Sequence, residues 1–155
     1  MESLMEKLTT TLREKKYSLC VAESCTGGLL SSEITKLSGV SDVYMGGFIT
    51  YSNRMKREIL NVPAELLSTL GAVSRPVALH MARGAKNLTK TTWAVSITGI
   101  AGPTGGTDTK PVGTVCFAIV GPGFEWTTQV EFSGSRTQVQ QSSAEFAARS
   151  LLEII

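Results

Sequence analysis

Cys20-Val21-Ala22-Glu23-Ser24-Cys25-Thr26-Gly27-Gly28-Leu29 carries an apolar strand straight into small hydroxyl residues and glycines and then into a helix. At such a strand-to-helix turn the first backbone N–H groups of the helix lack intrahelical partners, so they favour an anion or a developing oxyanion. Glycine lets a ligand come close to the backbone, which makes Ser24, Thr26, Gly27 and Gly28 candidate substrate-binding residues. A plain capped helix, with Ser24 or Thr26 as its N-cap, satisfies the same local pattern.

On the N-terminal side of this stretch, Leu4, Leu8 and Leu12 recur at helical spacing, predicting an amphipathic helix over 2–15 ahead of a buried strand over 17–22. On the other side a helix over 26–37 leads to an aromatic and β-branched strand over 43–51. Asn53 caps a helix reaching about Leu60, Pro63 starts the next at its first position, and Pro76 opens a third that reaches about Leu88. A strand over 92–97 runs into glycine-rich sequence, and 112–120 pairs with 125–132 as a hairpin across Gly121-Pro122-Gly123, before a closing helix. Strands mixed with helices, with one antiparallel hairpin, predict a three-layer α/β/α sandwich around a mixed, mostly parallel sheet.

At 155 residues, 42% hydrophobic and 18% charged, the chain reads as a single domain over 1–155 with a core that needs no disulfide or metal. A formal net charge of +2 without a basic run argues against nucleic acid or a membrane surface as partner and leaves a small molecule. Three cysteines, Cys20, Cys25 and Cys116, without CxxC spacing suit buried free thiols in a reducing cytoplasm. The opening residues Met1 to Leu8 carry no apolar stretch long enough for a signal peptide or a membrane span, so neither is expected. A single histidine, His80, mid-helix, and the lack of any Cys or carboxylate cluster with ligand spacing speak against a metal site, and the place of His80 speaks against a Ser-His-Asp triad.

The segment 99–111 is long for a connection in a compact domain and follows a strand end, where open α/β sheets bind ligands. Its glycines, Gly99 and Gly102 among them, fit neither a dinucleotide fingerprint nor a P-loop, and they join the candidate substrate-binding residues. In Ser52-Asn53-Arg54-Met55-Lys56-Arg57 three cations occupy the first turn of a helix, against the macrodipole. Dipole, neighbouring arginines and any burial would all disfavour the ammonium of Lys56, and a neutral lysine can deprotonate a serine or tyrosine hydroxyl. A solvated basic face, or a phosphate site with charged Lys56, fits the same pattern.

Six blocks in order, Ala22-Glu23-Ser24-Cys25-Thr26-Gly27-Gly28, Gly47-Phe48-Ile49-Thr50-Tyr51-Ser52-Asn53 with Lys56, Gly71-Ala72-Val73-Ser74, Ser96-Ile97-Thr98-Gly99-Ile100-Ala101-Gly102-Pro103, Lys110-Pro111-Val112-Gly113-Thr114-Val115 and Phe132-Ser133-Gly134-Ser135-Arg136, resemble the carboxy-terminal domain of CinA, the nicotinamide-nucleotide amidase family. The resemblance covers nearly the whole chain. It implies a stand-alone bacterial enzyme that hydrolyses the carboxamide of nicotinamide mononucleotide to nicotinic acid mononucleotide and ammonia, and it suggests a homodimer; no cofactor is expected. The amino-terminal domain of full-length CinA, and the nucleotide pyrophosphatase activity associated with it, are expected to be missing. The family's catalytic groups fall on Ser41 as nucleophile, Tyr51, Lys56, Thr98 and Arg136, with Ser24 as the competing nucleophile. Arg136 has two open roles, holding the substrate phosphate or keeping Lys56 neutral by like-charge repulsion. The competing function is an inert module of competence or DNA damage that binds a nucleotide or a protein.

Overall fold

The computed structural model of the protein describes all 155 residues. Five strands, β1 (Leu19–Glu23), β2 (Tyr44–Ile49), β3 (Trp93–Gly99), β4 (Thr114–Gly121) and β5 (Phe124–Glu131), form one sheet in the order β2-β1-β3-β4-β5. β1 pairs parallel with β2 and β3, whereas β3–β4 and β4–β5 are antiparallel, so four of the five strands point the same way. The sheet is flanked by six helices: α1 (Glu2–Glu14), α2 (Leu29–Thr35), α3 (Asn53–Leu60), α4 (Ala64–Thr69), α5 (Arg75–Thr89) and α6 (Arg136–Ile154). The α/β/α sandwich expected from the sequence is the observed architecture.

The two sheet faces differ in side-chain size, and that difference sorts the helices. Leu19, Val21, Val95, Ile97, Phe117 and Ile119 pack under α1, α2 and α6. The opposite face carries Cys20, Ala22, Ala94, Cys116 and Ala118, and its small residues let α5 settle through Ala78, Ala82 and Ala85. Ser96 Oγ, fully buried on this face, donates to the Ala78 carbonyl of α5 at 2.5 Å. β1 is buried at every position, as expected for a central strand covered on both sides.

From β1 the chain crosses through α2 to β2 on one side, then through α3, α4 and α5 to β3 on the other. The carboxyl end of β1 is therefore a topological switch point, where crossovers diverge to opposite faces and leave a crevice. Glycine sets the geometry of this end: Gly27 (φ 58°) and Gly28 (φ 99°) hold residues 24–28 as a turn. Helix α2 accordingly starts at Leu29 rather than at 26.

Other boundaries differ from the sequence reading as well. Ser52, not Asn53, caps α3, its hydroxyl accepting from the Met55 N–H at 3.1 Å. Pro63 is the N-cap of α4 rather than its first helical residue. β3 extends to Gly99, so the long connection begins at Ile100, and it is held by Gly113 N–H to Ile100 O (2.8 Å), a turn at 107–110, and Lys110 Nζ to Leu70 O (2.6 Å).

Candidate active site

Ser24 follows directly on β1, and its N–H donates to Ile97 O of β3 at 3.0 Å, so the neighbouring strand fixes its place. Lys56 sits on the inward face of α3 one turn before Leu60, and both are buried to 1% exposure. Its Nζ lies 2.9 Å from Ser24 Oγ, 2.8 Å from Thr50 O and 3.2 Å from Tyr51 O. Carbonyl oxygens only accept, so two of the amine's positions must be N–H donors, and the remaining one faces the serine hydroxyl. In the neutral amine that position is the lone pair.

Burial pushes the Lys56 pKa down to about 8, and the nearby Cys25 thiol works against that shift. The expected contributions of Arg54 and Arg57 are absent, because both guanidiniums turn outward to Glu58. Arg136 is not among the charges that move Lys56, so of its two sequence-stated roles the repulsive one lacks support here.

A cavity of about 280 Å³ opens over the pair, lined also by Tyr51, Thr98, Gly99, Gly102 and Arg136. Arg136 donates through Nη1 to Gly102 O at 2.7 Å and through Nη2 to Tyr51 Oη at 3.2 Å. These bonds clamp the loop after β3, and Arg136 itself remains exposed at the rim. Thr98, buried to 1%, donates to Ala72 O at 3.0 Å and closes the floor. Gly99 is required by close approach, since a Cβ there would stand 2.9 Å from the Thr114 carbonyl and from Val115 Cα. The N–H groups of Cys25 and Ala101, buried residues of the lining, take no backbone acceptor.

The structure thus brings together Ser24, Tyr51, Lys56, Thr98, Gly99, Gly102 and Arg136. Ser41 is not among them. It lies exposed in a short 3-10 helix, Val40–Asp42, beside the ion pair of Arg13 and Asp42, just before β2 begins. Because β1 and β2 run parallel side by side, the entry of β2 and the exit of β1 are at opposite ends of the strands, on the order of 20 Å apart at about 3.3 Å per residue. Ser41 cannot reach Lys56, and the serine within reach is Ser24.

Thr26, Gly27 and Gly28 also fall outside the cavity and border a separate shallow depression with Ser32, Thr137 and Gln140. The Thr26 hydroxyl is turned inward to Glu23 Oε1 at 2.7 Å. His80, on α5, lines no part of the site.

Sequence reasoning gave no place in the site to Cys25, Asn53 and Thr104, which line the cavity, or to Glu23, whose carboxylate is fully buried behind Ser24. A legible signal for Glu23 existed: a lone carboxylate ending an apolar strand just before a helix start calls for donors at that start.

Comparison with known proteins supplies the relationship. The family model of the CinA C-terminal domain matches residues 1–155. The CinA-like protein of Syntrophobacter fumaroxidans is 46% identical over 154 residues, 99% of this chain and 36% of that protein. That of Trichormus variabilis is 53% identical over 127 residues, 82% of this chain and 30% of that one. The chain spans about a third of the length of the curated relatives it matches. Among solved structures, the competence/damage inducible protein CihA from Agrobacterium tumefaciens superposes with a TM-score of 0.96 at 37% identity, covering 99% of this chain and 94% of that one. The competence-damaged protein (CinA) superfamily protein of Escherichia coli does so with a TM-score of 0.96 at 36% identity, covering 99% and 90%. The chain belongs to the CinA C-terminal domain family.

Proposed function

We propose that the protein hydrolyses the carboxamide of nicotinamide mononucleotide to nicotinic acid mononucleotide and ammonia, with Ser24 as nucleophile and Lys56 as base. The observation that carries this reading is the buried Lys56 amine, oriented by two carbonyls so that its third position meets Ser24 Oγ at 2.9 Å.

In the first half-reaction neutral Lys56 takes the Ser24 proton while Oγ forms a bond to the carboxamide carbon. The C–N bond then breaks as the lysine returns that proton to the departing ammonia. In the second half, Lys56 deprotonates a water that attacks the acyl ester, and Ser24 leaves with the proton. The tetrahedral oxyanion needs preorganised donors, for which the N–H groups of Cys25 and Ala101, which take no backbone acceptor, are suited, each worth about 3 kcal/mol of barrier when aligned.

A phosphate monoester as substrate is supported by the exposed guanidinium of Arg136 at the rim, whose remaining N–H groups are free for a second acceptor. The size of the cavity suits a mononucleotide better than a dinucleotide. The test is ammonia release by the purified protein with chelator present, from nicotinamide mononucleotide, nicotinamide riboside and nicotinamide in parallel. Turnover of the mononucleotide well above the other two supports the assignment. Equal turnover of all three overturns the phosphate part, and saturable binding without turnover favours the inert nucleotide-binding reading.

A further inference from the structure

Glu23 is 0% exposed, and a buried carboxylate is costly unless its oxygens are bonded. Here they are bonded throughout. Oε1 accepts from Thr26 Oγ1 at 2.7 Å and from the Leu30 N–H at 2.9 Å. Oε2 accepts from the Ser31 N–H at 3.0 Å and from Ser31 Oγ at 2.8 Å. Helix α2 has Gly28 at its N-cap and no side-chain cap of its own, so the carboxylate at the end of β1 does that work from outside the helix.

The backbone of the same residue holds the other half of the site. Glu23 O accepts from the Thr50 N–H at 2.9 Å, Thr50 O accepts from Lys56 Nζ at 2.8 Å, and Lys56 Nζ meets Ser24 Oγ at 2.9 Å. Ser24 is joined to Glu23 by a peptide bond, so four residues close a ring. We propose that Glu23 is the positioning residue of the Ser24–Lys56 pair: its carboxylate locks the turn that carries the serine, and its carbonyl fixes the strand end that holds the lysine. This rests on the Ser24–Lys56 reading given above.

An ordinary helix cap could come from any residue near position 28. A cap supplied by the neighbour of the nucleophile restrains the turn at both ends, since the Gly27 N–H also closes back on Ser24 O at 3.0 Å. Loss of the carboxylate then costs alignment of the reacting groups before it costs substrate affinity.

The test uses a fluorophosphonate, which reads the serine without depending on the natural substrate. Ser24 Oγ forms the bond to phosphorus, fluoride leaves, and Lys56 accepts the proton. The rate constant is taken per labelled site, with the plateau of labelling recorded separately, so that unfolded protein lowers the plateau and not the rate. Glu23→Gln keeps the size but in either orientation puts an NH₂ against a backbone N–H, that of Leu30 or that of Ser31, and its rate per site is expected to fall at least about tenfold at an unchanged plateau. With nicotinamide mononucleotide, kcat falls in parallel and KM stays within about twofold.

Should Glu23→Gln fail to fold, Thr26→Val and Thr26→Ser carry the test: the valine removes one donor to Oε1 and slows labelling severalfold, and the serine restores it. Wild-type rates per site in both Glu23→Gln and Thr26→Val overturn the proposal. A wild-type protein that takes no label on Ser24 overturns the Ser24–Lys56 reading beneath it. Labelling that responds as expected, in a protein that does not turn over the mononucleotide, supports the positioning role and refutes only the substrate.

Discussion

Lys56 Nζ and Ser24 Oγ stand 2.9 Å apart, joined across 32 residues of sequence by the parallel pairing that puts the exits of β1 and β2 side by side. The lysine is buried among carbonyls with no carboxylate bonded to it, which makes the amine available as a base close to neutral pH.

The activity should rise with pH along an acid limb with its midpoint near 8. Burial holds the Lys56 pKa at about 8, and only the neutral form accepts the serine proton. At pH 7 about a tenth of the molecules are in that form, and below that the rate falls about tenfold per unit. The pH profile of kcat/KM checks this, and a limb centred below pH 6 would point to a base other than Lys56.

Arg136→Ala should raise KM for the mononucleotide about 10- to 100-fold, the scale of losing charge-assisted hydrogen bonds to a phosphate. The riboside, lacking that phosphate, should respond far less. Arg136 also clamps Gly102 O and Tyr51 Oη, so an equal loss on both substrates would mean that the clamp, not the phosphate, is its contribution.

Thiol reagents should leave the activity intact. Cys25 lines the cavity beside Ser24, but burial pushes its thiol up to about 12, and Cys20 and Cys116 are buried as well. At pH 7 about one Cys25 in 10⁵ is a thiolate. Incubation with iodoacetamide followed by assay and mass mapping measures this; rapid inactivation with Cys25 alkylated would reopen the identity of the nucleophile.

Gly84→Ala should destabilise the protein and damage the site together. A Cβ at position 84 would overlap the backbone carbonyl of Leu60, so α5 would have to back away from the end of α3, one turn from Lys56. Overpacking of this kind costs about 1–3 kcal/mol, which corresponds to a melting point lower by about 3–10 °C. Calorimetry with assays well below the melting point separates the two effects. Unchanged stability would show that the helices are more loosely packed than this.

The architecture could be read from the chain because each element carries its own periodicity. Leu8 and Leu12 face one way on α1, and the apolar runs of β1 and β3 are those of strands covered on both sides. Lys56 was also legible as an unusual amine. Of the three causes the sequence offers, the dipole, the neighbouring arginines and burial, it is burial that lowers its pKa, in keeping with its place one turn before Leu60 on the same face.

Which serine faces Lys56 was harder to read, because motif resemblance assigns a residue without saying at which end of the strands it lies. Ser41 precedes a strand and Ser24 follows one, and in a parallel sheet only the second is at the ligand end. Thr26, Gly27 and Gly28 fall outside the cavity for another reason: a small-residue turn beside a cavity has the same composition as one inside it. Which glycine meets solvent and which hydroxyl turns to a buried carboxylate depend on φ angles and on Glu23, and both emerge only in three dimensions.

The most direct measurement is ammonia release from nicotinamide mononucleotide by the intact protein, Ser24→Ala and Ser41→Ala side by side, each checked for folding by circular dichroism. The geometry predicts a loss of at least about 10³-fold in Ser24→Ala and activity within about twofold of wild type in Ser41→Ala. Retention of activity by Ser24→Ala, or its loss in a folded Ser41→Ala, would contradict the assignment of Ser24 and Lys56 as the reacting pair.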